Sequence, residues 1–471
     1  MKTGMFIFLI LLIAFEADAQ VSEEWVARSI QAGGAYSMVL DSEGNAYVTG
    51  TSQTDIFTIK YNPVGEPVWT ARYNGPANGN DYARAITVDQ TGNVYVTGLS
   101  YRTFVGYQLL YDYATIKYDS EGVQQWVQRY KGPANGNNYA MAIATDPDGN
   151  VYVTGSSTGE NGETDYATVK YNSAGAEQWV QRYSGPGNNT DYANSIAVDE
   201  IGNVYVTGGR SYGTGGNREL ATIKYNTQGE QQWLTVYNEG GFYTGEAVSV
   251  KLDQMGNIYI TGNSWDNYAT IKYNPAGEQQ WVHVDNTGIH KNYVSAMVVD
   301  SLGNIYLTGS IRNGSETGND YYTNKINSNG IKEWTAIYNG PASREDVAKS
   351  IAVDEFGSVY VTGFSWGIET FDDYATIKYS SDGVQQWVQR YNGPANDGDI
   401  ANSIAVDGSG NVFVTGESQG DYLTIKYSQE KEKEPPINLT YDLGTHSLKW
   451  TRSPSGGVIN QLVLKQEYDR I

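Results

Sequence analysis

An aspartate that closes a short apolar run recurs eight times along this chain, at Asp41, Asp89, Asp146, Asp199, Asp253, Asp300, Asp354 and Asp407. Successive copies stand 48, 57, 53, 54, 47, 54 and 53 residues apart. A unit near fifty residues is one supersecondary motif, too small to bury a core alone, so it must stack on its neighbours. Residues 82–130 show one unit: Ala83–Val88, a turn from Asp89 to Asn93, Val94–Thr97, a polar loop after Gly98, Tyr113–Tyr118, a turn at Gly122, and Gln125–Tyr130. Apolar residues alternate with period two, and each tight turn holds a glycine, which makes four antiparallel strands. Eight such sheets at this spacing predict an all-β, eight-bladed β-propeller of four-stranded antiparallel blades. Seven blades would leave a spare repeat.

Strand order follows from side-chain size. The first strand is small on one face, rich in Ala and Ser, and suits the crowded position next to the axis. The tryptophan strand is then outermost, with Trp69, Trp126, Trp179, Trp233, Trp281, Trp334 and Trp387 packing between blades. Two ends remain unmatched. Glu24-Trp25-Val26-Ala27-Arg28 is an outer strand with no blade before it, and no tryptophan strand follows Leu423–Tyr427. The surplus at one end fits the gap at the other, so residues 22–30 are expected to complete the eighth blade and close the ring, which removes its sheet edge. Each third strand also carries a lysine (Lys60, Lys117, Lys170, Lys224, Lys272, Lys325, Lys378, Lys426) on the side of the aspartate turns, and Lys–Asp pairing is expected there.

Flanking segments differ in kind. Lys2, the apolar run Met5–Phe15 and Ala17-Asp18-Ala19 read as a signal peptide over residues 1–19. The apolar run is shorter than the roughly 20 residues a membrane span needs. The chain is therefore expected to be secreted, outside the cell or at its surface, without membrane insertion. The propeller is expected over 20–427, a charged linker over 428–434, and a short, incomplete β-sandwich-like tail over 435–471. Net charge is -22, which repels nucleic acid. There is no cysteine and there are three histidines, so thiolate and histidine-based metal chemistry have few groups to work with. No cofactor and no metal site are expected, and the chain is expected to be a monomer.

The unit Asp-x-x-Gly-Asn-Val-Tyr-Val-Thr-Gly, preceded by Ser-Ile-Ala-Val, resembles the bacterial SBBP β-propeller repeat over about residues 22–427. The resemblance implies an exported propeller, often fused to fibronectin-like modules, and implies no particular reaction. Pro435–Thr440, Leu448-Lys449-Trp450 and Gln461–Lys465 resemble the opening strands of a fibronectin type III domain. Only part of its ~100 residues is present.

Function is expected where the repeat is least regular. The Asp-x-x-Gly-Asn and Tyr-Asn-x-x-Gly turns share one nearly uniform face, and the variable loops share the other. Candidate ligand-binding residues on the variable face are Tyr101, Tyr107, Tyr212, Trp265, Asp266, Trp366, Phe371 and Asp372. Aromatic rings beside carboxylates can stack and orient a sugar ring, or the rings can simply pack over loop backbone. Asp81, Asp191, Asp346 and Asp399 precede inner strands, where they either ring a channel mouth or satisfy backbone N–H groups. The chain reads as a non-enzymatic binding or structural module for a glycan or protein ligand. The alternative is a carbohydrate-active enzyme, a polysaccharide lyase or glycoside hydrolase, with His290, Tyr293 and Arg312 as its weak catalytic candidates.

Overall fold

A computed structural model of the chain describes residues 21–29, 33–186, 189–212, 217–238, 245–264, 267–285, 292–312, 318–429, 438–442 and 447–451. Residues 21–428 form one compact unit of eight four-stranded sheets. The third blade is typical: Asn138–Thr145 innermost, then Val151–Thr158, Thr164–Tyr171 and, outermost, Glu177–Tyr183. All three pairings within it are antiparallel. In the eighth blade Val21–Ser29 takes the outermost place beside Asp421–Gln429, so the N-terminal strand closes the ring.

The tryptophans work as expected, and the geometry shows how. Trp126 lies between Tyr95 of its own blade and Tyr171 of the next, both with ring centroids at 6.1 Å. Its indole Nε1 donates to the Ser173 carbonyl at 3.2 Å. The ring also covers Gly175, whose φ is +84°, and a Cβ there would come within 2.8 Å of the indole. Glycine is thus required twice at this turn, for its backbone and for the indole above it. Trp25 repeats the arrangement across the closure, 6.0 Å from Phe413 and from Tyr61, with Nε1 donating to Pro63 O at 3.1 Å.

Each Asp-x-x-Gly-Asn turn is held by its aspartate. Asp89 Oδ1 accepts the N–H groups of Thr91 and Asn93 at 2.9 and 3.0 Å, and Oδ2 accepts Asn93 Nδ2 and the Tyr95 hydroxyl at 2.8 and 2.9 Å. Those carboxylates are thereby occupied, and in this blade the lysine takes other partners than the expected aspartate. Lys117 stands directly across the strand pair from Tyr95. Its ammonium sits 5.2 Å from that ring and donates to Ser173 O at 3.1 Å. Ion pairs form nearer the opposite face instead, from the outer strand to the third: Arg182–Asp165 at 2.9 Å, Arg390–Asp373 at 2.7 Å and, across the closure, Arg28–Asp421 at 3.5 Å.

One seam departs from the pattern. Between the fifth and sixth blades Asp285 replaces the usual tyrosine, and Tyr322 and Asn324 replace an alanine and an aliphatic residue. Asp285 is 3% exposed and accepts from the Tyr322 hydroxyl at 2.9 Å, Asn324 Nδ2 at 2.5 Å and Lys332 Nζ at 2.7 Å. His283, two residues earlier, is half-buried in the same seam. Burial holds its imidazole pKa below the ordinary value, with Asp285 opposing that shift.

Beyond the propeller the described residues hold one two-stranded hairpin, Asn438–Asp442 with Ser447–Thr451, in which Leu439 faces Trp450. The fibronectin-like expectation for 435–471 has only this hairpin behind it, and residues 1–19 lie outside the described part. No helix among the described residues is long and apolar enough to cross a membrane.

Candidate ligand site at the channel mouth

The inner strands surround the axis, and their eight positions can be compared blade by blade. At the first position Asp81, Asp191, Asp346 and Asp399 are 0–1% exposed. Asp81 Oδ2 accepts Gly75 N at 2.6 Å and Oδ1 accepts Tyr101 N at 2.9 Å. Asp346 and Asp399 likewise accept Gly340 N at 2.7 Å and Gly393 N at 2.6 Å. Burial raises the carboxyl pKa of all four above the ordinary value, with hydrogen bonds opposing it. They anchor the loops that arrive from the outer strands and do not ring the channel.

The second position lines the mouth itself. It holds Tyr82, Tyr139, Tyr192 and Tyr293 in four blades, and Tyr293 is 44% exposed. A bulge follows in every inner strand; in the second blade the register shifts between Ala83 and Ala85. A bulge leaves one residue unpaired and re-aims its side chain. That fourth position is Tyr36, Arg84, Met141, Asn194, Val248, Ser295, Lys349 and Asn402 in turn, while the third position is alanine in seven blades. Tyr36 and Met141 are each 37% exposed, whereas Ala35, Ala83 and Ala140 are fully buried.

These residues form three groups around the mouth. In the first, Tyr111 stacks against Tyr82, Tyr101 and Tyr139 with centroids at 6.0, 6.1 and 6.2 Å. In the second, Arg218 lies over the Tyr192 ring at 4.6 Å, the Tyr192 hydroxyl bonds Glu246, and Arg218 stands 3.8 Å from Glu246. The third spans the seventh, eighth, first and second blades. Lys349 Nζ donates to Asn402 Oδ1 at 3.2 Å and sits 5.7 Å from the Phe364 ring, and Asn402 Nδ2 donates to Ala35 O at 2.8 Å. The Glu417 side chain lies over Gly34, where a Cβ would approach its Oε2 to 2.8 Å.

Charge in this third group is finely opposed. Burial lowers the Lys349 pKa, and Glu417 and Asp372 push it back. Burial raises the Tyr36 phenol, Glu417 adds to that, and Arg84 opposes it. The Arg84 guanidinium is exposed and has no carboxylate within ion-pair distance among the described residues. By contrast Arg28, Arg72, Arg129, Arg182, Arg210 and Arg390 are all paired with carboxylates. A channel mouth with aromatic faces, an unpaired cation, an amine and a carboxylate can stack a ring and hydrogen-bond its substituents.

The structure brings some of the sequence candidates together. Trp366 and Phe371 pair at 5.8 Å, Arg344 lies over Trp366 at 5.1 Å, and Asp372 faces Trp366 across the strand pair. Burial raises the Asp372 pKa, with Glu345 and Asp373 adding to it. Tyr101 belongs to the tyrosine group of the second blade. Tyr107 does not join it: it stands 100% exposed at the tip of a long hairpin made by Val94–Val105 and Gln108–Tyr118. Trp265, Asp266 and His290 lie outside the described residues, and Tyr212 ends its strand with its side chain undescribed. Of the His290–Tyr293–Arg312 candidates, only Tyr293 and Arg312 lie among the described residues. Tyr293 faces Ser310, and Arg312 lies two residues farther out, opposite Asn319. No described contact joins Tyr293 to Arg312. No group of three or more His, Asp or Glu among the described residues is placed to hold a metal ion.

Comparison with known proteins agrees with the architecture. The SBBP family, described as a beta-propeller repeat, matches residues 68–102, 125–163, 178–208 and 386–422. No curated protein matches the sequence. Among solved structures, a catalytically inactive variant of virginiamycin B lyase from Staphylococcus aureus is 12% identical, over 87% of this chain and 99% of that one, with a TM-score of 0.45. A protein of unknown function from Bacteroides caccae is 10% identical over 66% and 97%, with a TM-score of 0.35. A glucose dehydrogenase is 12% identical over 86% and 98%, also at 0.35. These likenesses are distant and concern the fold alone.

Proposed function

We propose that this chain is an exported saccharide-binding propeller whose ligand enters the central channel from the variable-loop face. One observation carries the reading. In a repeat where the third inner-strand position is alanine in seven blades, the fourth holds seven different residue types, from Arg84 and Lys349 to Met141, beneath a rim of tyrosines. A repeat held at the neighbouring inner-strand position and released at this one is what a ligand site imposed on a structural ring would leave. Tyr82, Tyr139 and Tyr192 offer ring faces, and Arg84 offers a cation to a hydroxyl or carboxylate. Trp366 and Phe371 extend the surface outward. The test is titration of neutral and uronate-bearing oligosaccharides by calorimetry. Arg84→Gln is expected to weaken the best ligand about tenfold, which is the loss of one charged hydrogen bond. Unchanged affinity in Arg84→Gln and Tyr82→Ala together would remove the channel from consideration.

A second reading has one observation in its favour. Lys349 is a desolvated amine in the same mouth as Tyr36 and Arg84. Lowering a lysine pKa makes its neutral form available as a base. Such a site suits proton abstraction beside a sugar carboxylate, as in a polysaccharide lyase. Incubation with uronate polysaccharides, followed by ultraviolet absorbance for unsaturated products, separates catalysis from binding. Glycoside hydrolysis would instead release new reducing ends without that absorbance.

A further inference from the structure

The uniform face is not uniform in one respect. The third residue of each Asp-x-x-Gly turn is Glu43, Thr91, Asp148, Ile201, Met255, Leu302, Phe356 and Ser409 in order. Four adjacent blades, the fourth to the seventh, therefore carry large apolar side chains there, and the other four blades carry small, polar or acidic ones. Ile201, Met255, Leu302 and Phe356 are 75%, 76%, 78% and 72% exposed. Single exposed apolar residues are ordinary, but four at one turn position on consecutive blades form an arc with a defined start and end. At its far end the arc continues into a cleft of ≈ 180 Å³ between the seventh and eighth blades, where Val353, Phe356 and Val406 are joined by the acidic Asp354, Glu355 and Asp407. The turns themselves do not need these side chains, since Asp89 closes its turn equally well with Thr91 at that position.

Charge says what covers the arc. The eight Asp-x-x-Gly turns and the seven turns between third and outer strands together contain eighteen Asp and Glu and no Lys or Arg. Eight of these carboxylates are the turn aspartates, tied to their own turns. Others, among them Glu200 and Glu355 beside Ile201 and Phe356, are exposed. Most lysines near this face are placed over tyrosine rings and against turn carbonyls, as Lys170 is at 5.1 Å from Tyr152 and 3.2 Å from Thr227 O. Lys332 is paired with Asp285, which leaves Lys251 as an exposed cation beside the arc, against the many carboxylates of the turns. A second copy of the chain, docked face to face, would set these carboxylates against their equals, and an anionic lipid surface would be repelled in the same way.

We propose that the arc Ile201–Met255–Leu302–Phe356 is a docking surface for a cationic polypeptide that presents apolar side chains flanked by lysine or arginine. The apolar arc supplies the desolvated centre of the contact and the acidic turns its rim, the arrangement found in protein interfaces. The proposal stands apart from the channel reading, because the two sites lie on opposite faces.

The probe is a fluorescent amphipathic leucine–lysine peptide, titrated into the full chain and followed by anisotropy. Two further peptides isolate the terms: a leucine–glutamate peptide and a lysine–glycine peptide. The variant Ile201→Ser/Met255→Ser/Leu302→Ser/Phe356→Ser changes only exposed positions, and the single variants serve if the fourfold one unfolds. The expected result is at least a tenfold loss of leucine–lysine affinity in that variant. Phe104→Ser/Leu109→Ser, on the other face, is expected to change nothing. The lysine–glycine peptide should bind at least tenfold more weakly than leucine–lysine, and leucine–glutamate not at all. Equal binding by wild type and the fourfold variant, or equal binding of both lysine peptides, would overturn the proposal. So would light scattering that shows a dimer lost in the fourfold variant, or binding of zwitterionic vesicles lost with it, since either result assigns the arc to a different occupant.

Discussion

In four blades of this propeller the inner strand has an aspartate at each end, and in the second blade the two, Asp81 and Asp89, have opposite chemistry. On the uniform face Asp41 and Asp89 keep carboxyl pKa values below the ordinary range: burial works against this, and the donors of Asn45 or Asn93, Tyr47 or Tyr95 and the turn backbone overcome it. On the variable face burial prevails, and Asp81, Asp191, Asp346 and Asp399 are raised. A carboxylate with four donors is a fastener. One with fewer is an anchor whose burial is only partly offset by its donors, tolerated because it holds a loop over the mouth. The same residue type thus reports which face is built for stability and which accepts strain around a site.

The comparison is most easily broken in the seam between the fifth and sixth blades, where a carboxylate distant from the repeated turns also acts as a fastener. Asp285→Ala leaves Lys332, Asn324 and Tyr322 without their shared acceptor and is expected to cost roughly 3–5 kcal/mol, read from urea unfolding. The tryptophans give the next contrast. Trp126→Ala, which empties an interblade seam, should cost about 3 kcal/mol. Trp366→Ala on the variable face should stay within about 1 kcal/mol while weakening any saccharide. Equal destabilisation by the two would deny that Trp366 belongs to a site.

Two smaller effects test the aspartates through pH. Asp89→Asn loses two acceptors and should cost about 1–2 kcal/mol at neutral pH. Because the folded carboxyl is lowered, its stabilisation is present above the unfolded-chain value near 3.9 and is lost as pH falls through the folded one. The deficit of the variant therefore shrinks in acid. Asp399→Asn has the opposite sign and the smallest size. The native group is raised, so its favourable contribution is complete below the unfolded-chain value and is lost as pH rises through the folded one. The asparagine variant should gain on the native chain between mild acid and neutrality. Asn138 and Asn292 already stand at this position in the third and sixth blades. Parallel pH profiles for the two variants would show that the faces do not differ in this way.

Much of the architecture was legible because repetition multiplies weak signals. No single turn proves a hairpin, but eight aspartates in register do, and the orphan Trp25 strand states where the ring closes. In the second blade the Lys–Asp pairing failed for a reason of register: Lys117 lies across from Tyr95, and Asp89 is consumed by its own turn. The site was read less well. Exposed loop aromatics were the natural candidates: Trp366, Phe371 and Asp372 cluster in the seventh blade and Tyr101 joins the tyrosines of the second, but Tyr107 stands alone in solvent. The channel residues Tyr36, Arg84, Lys349 and Glu417 were missed because they sit within or beside strands whose small residues read as packing. Their signal was there as the inner-strand position that varies most from blade to blade.

Closure by the first strand also sets a timetable. Val21–Ser29 has no partner until Asp421–Gln429 exists, some 400 residues later. At about 5–20 residues per second a nascent chain carries that unpaired edge for on the order of half a minute. Seven blades can assemble on one another in the meantime, yet the arc stays open until the last one arrives. Premature termination anywhere before the eighth blade would leave the Val21–Ser29 strand unpaired and the faces of the end blades bare, an invitation to aggregate.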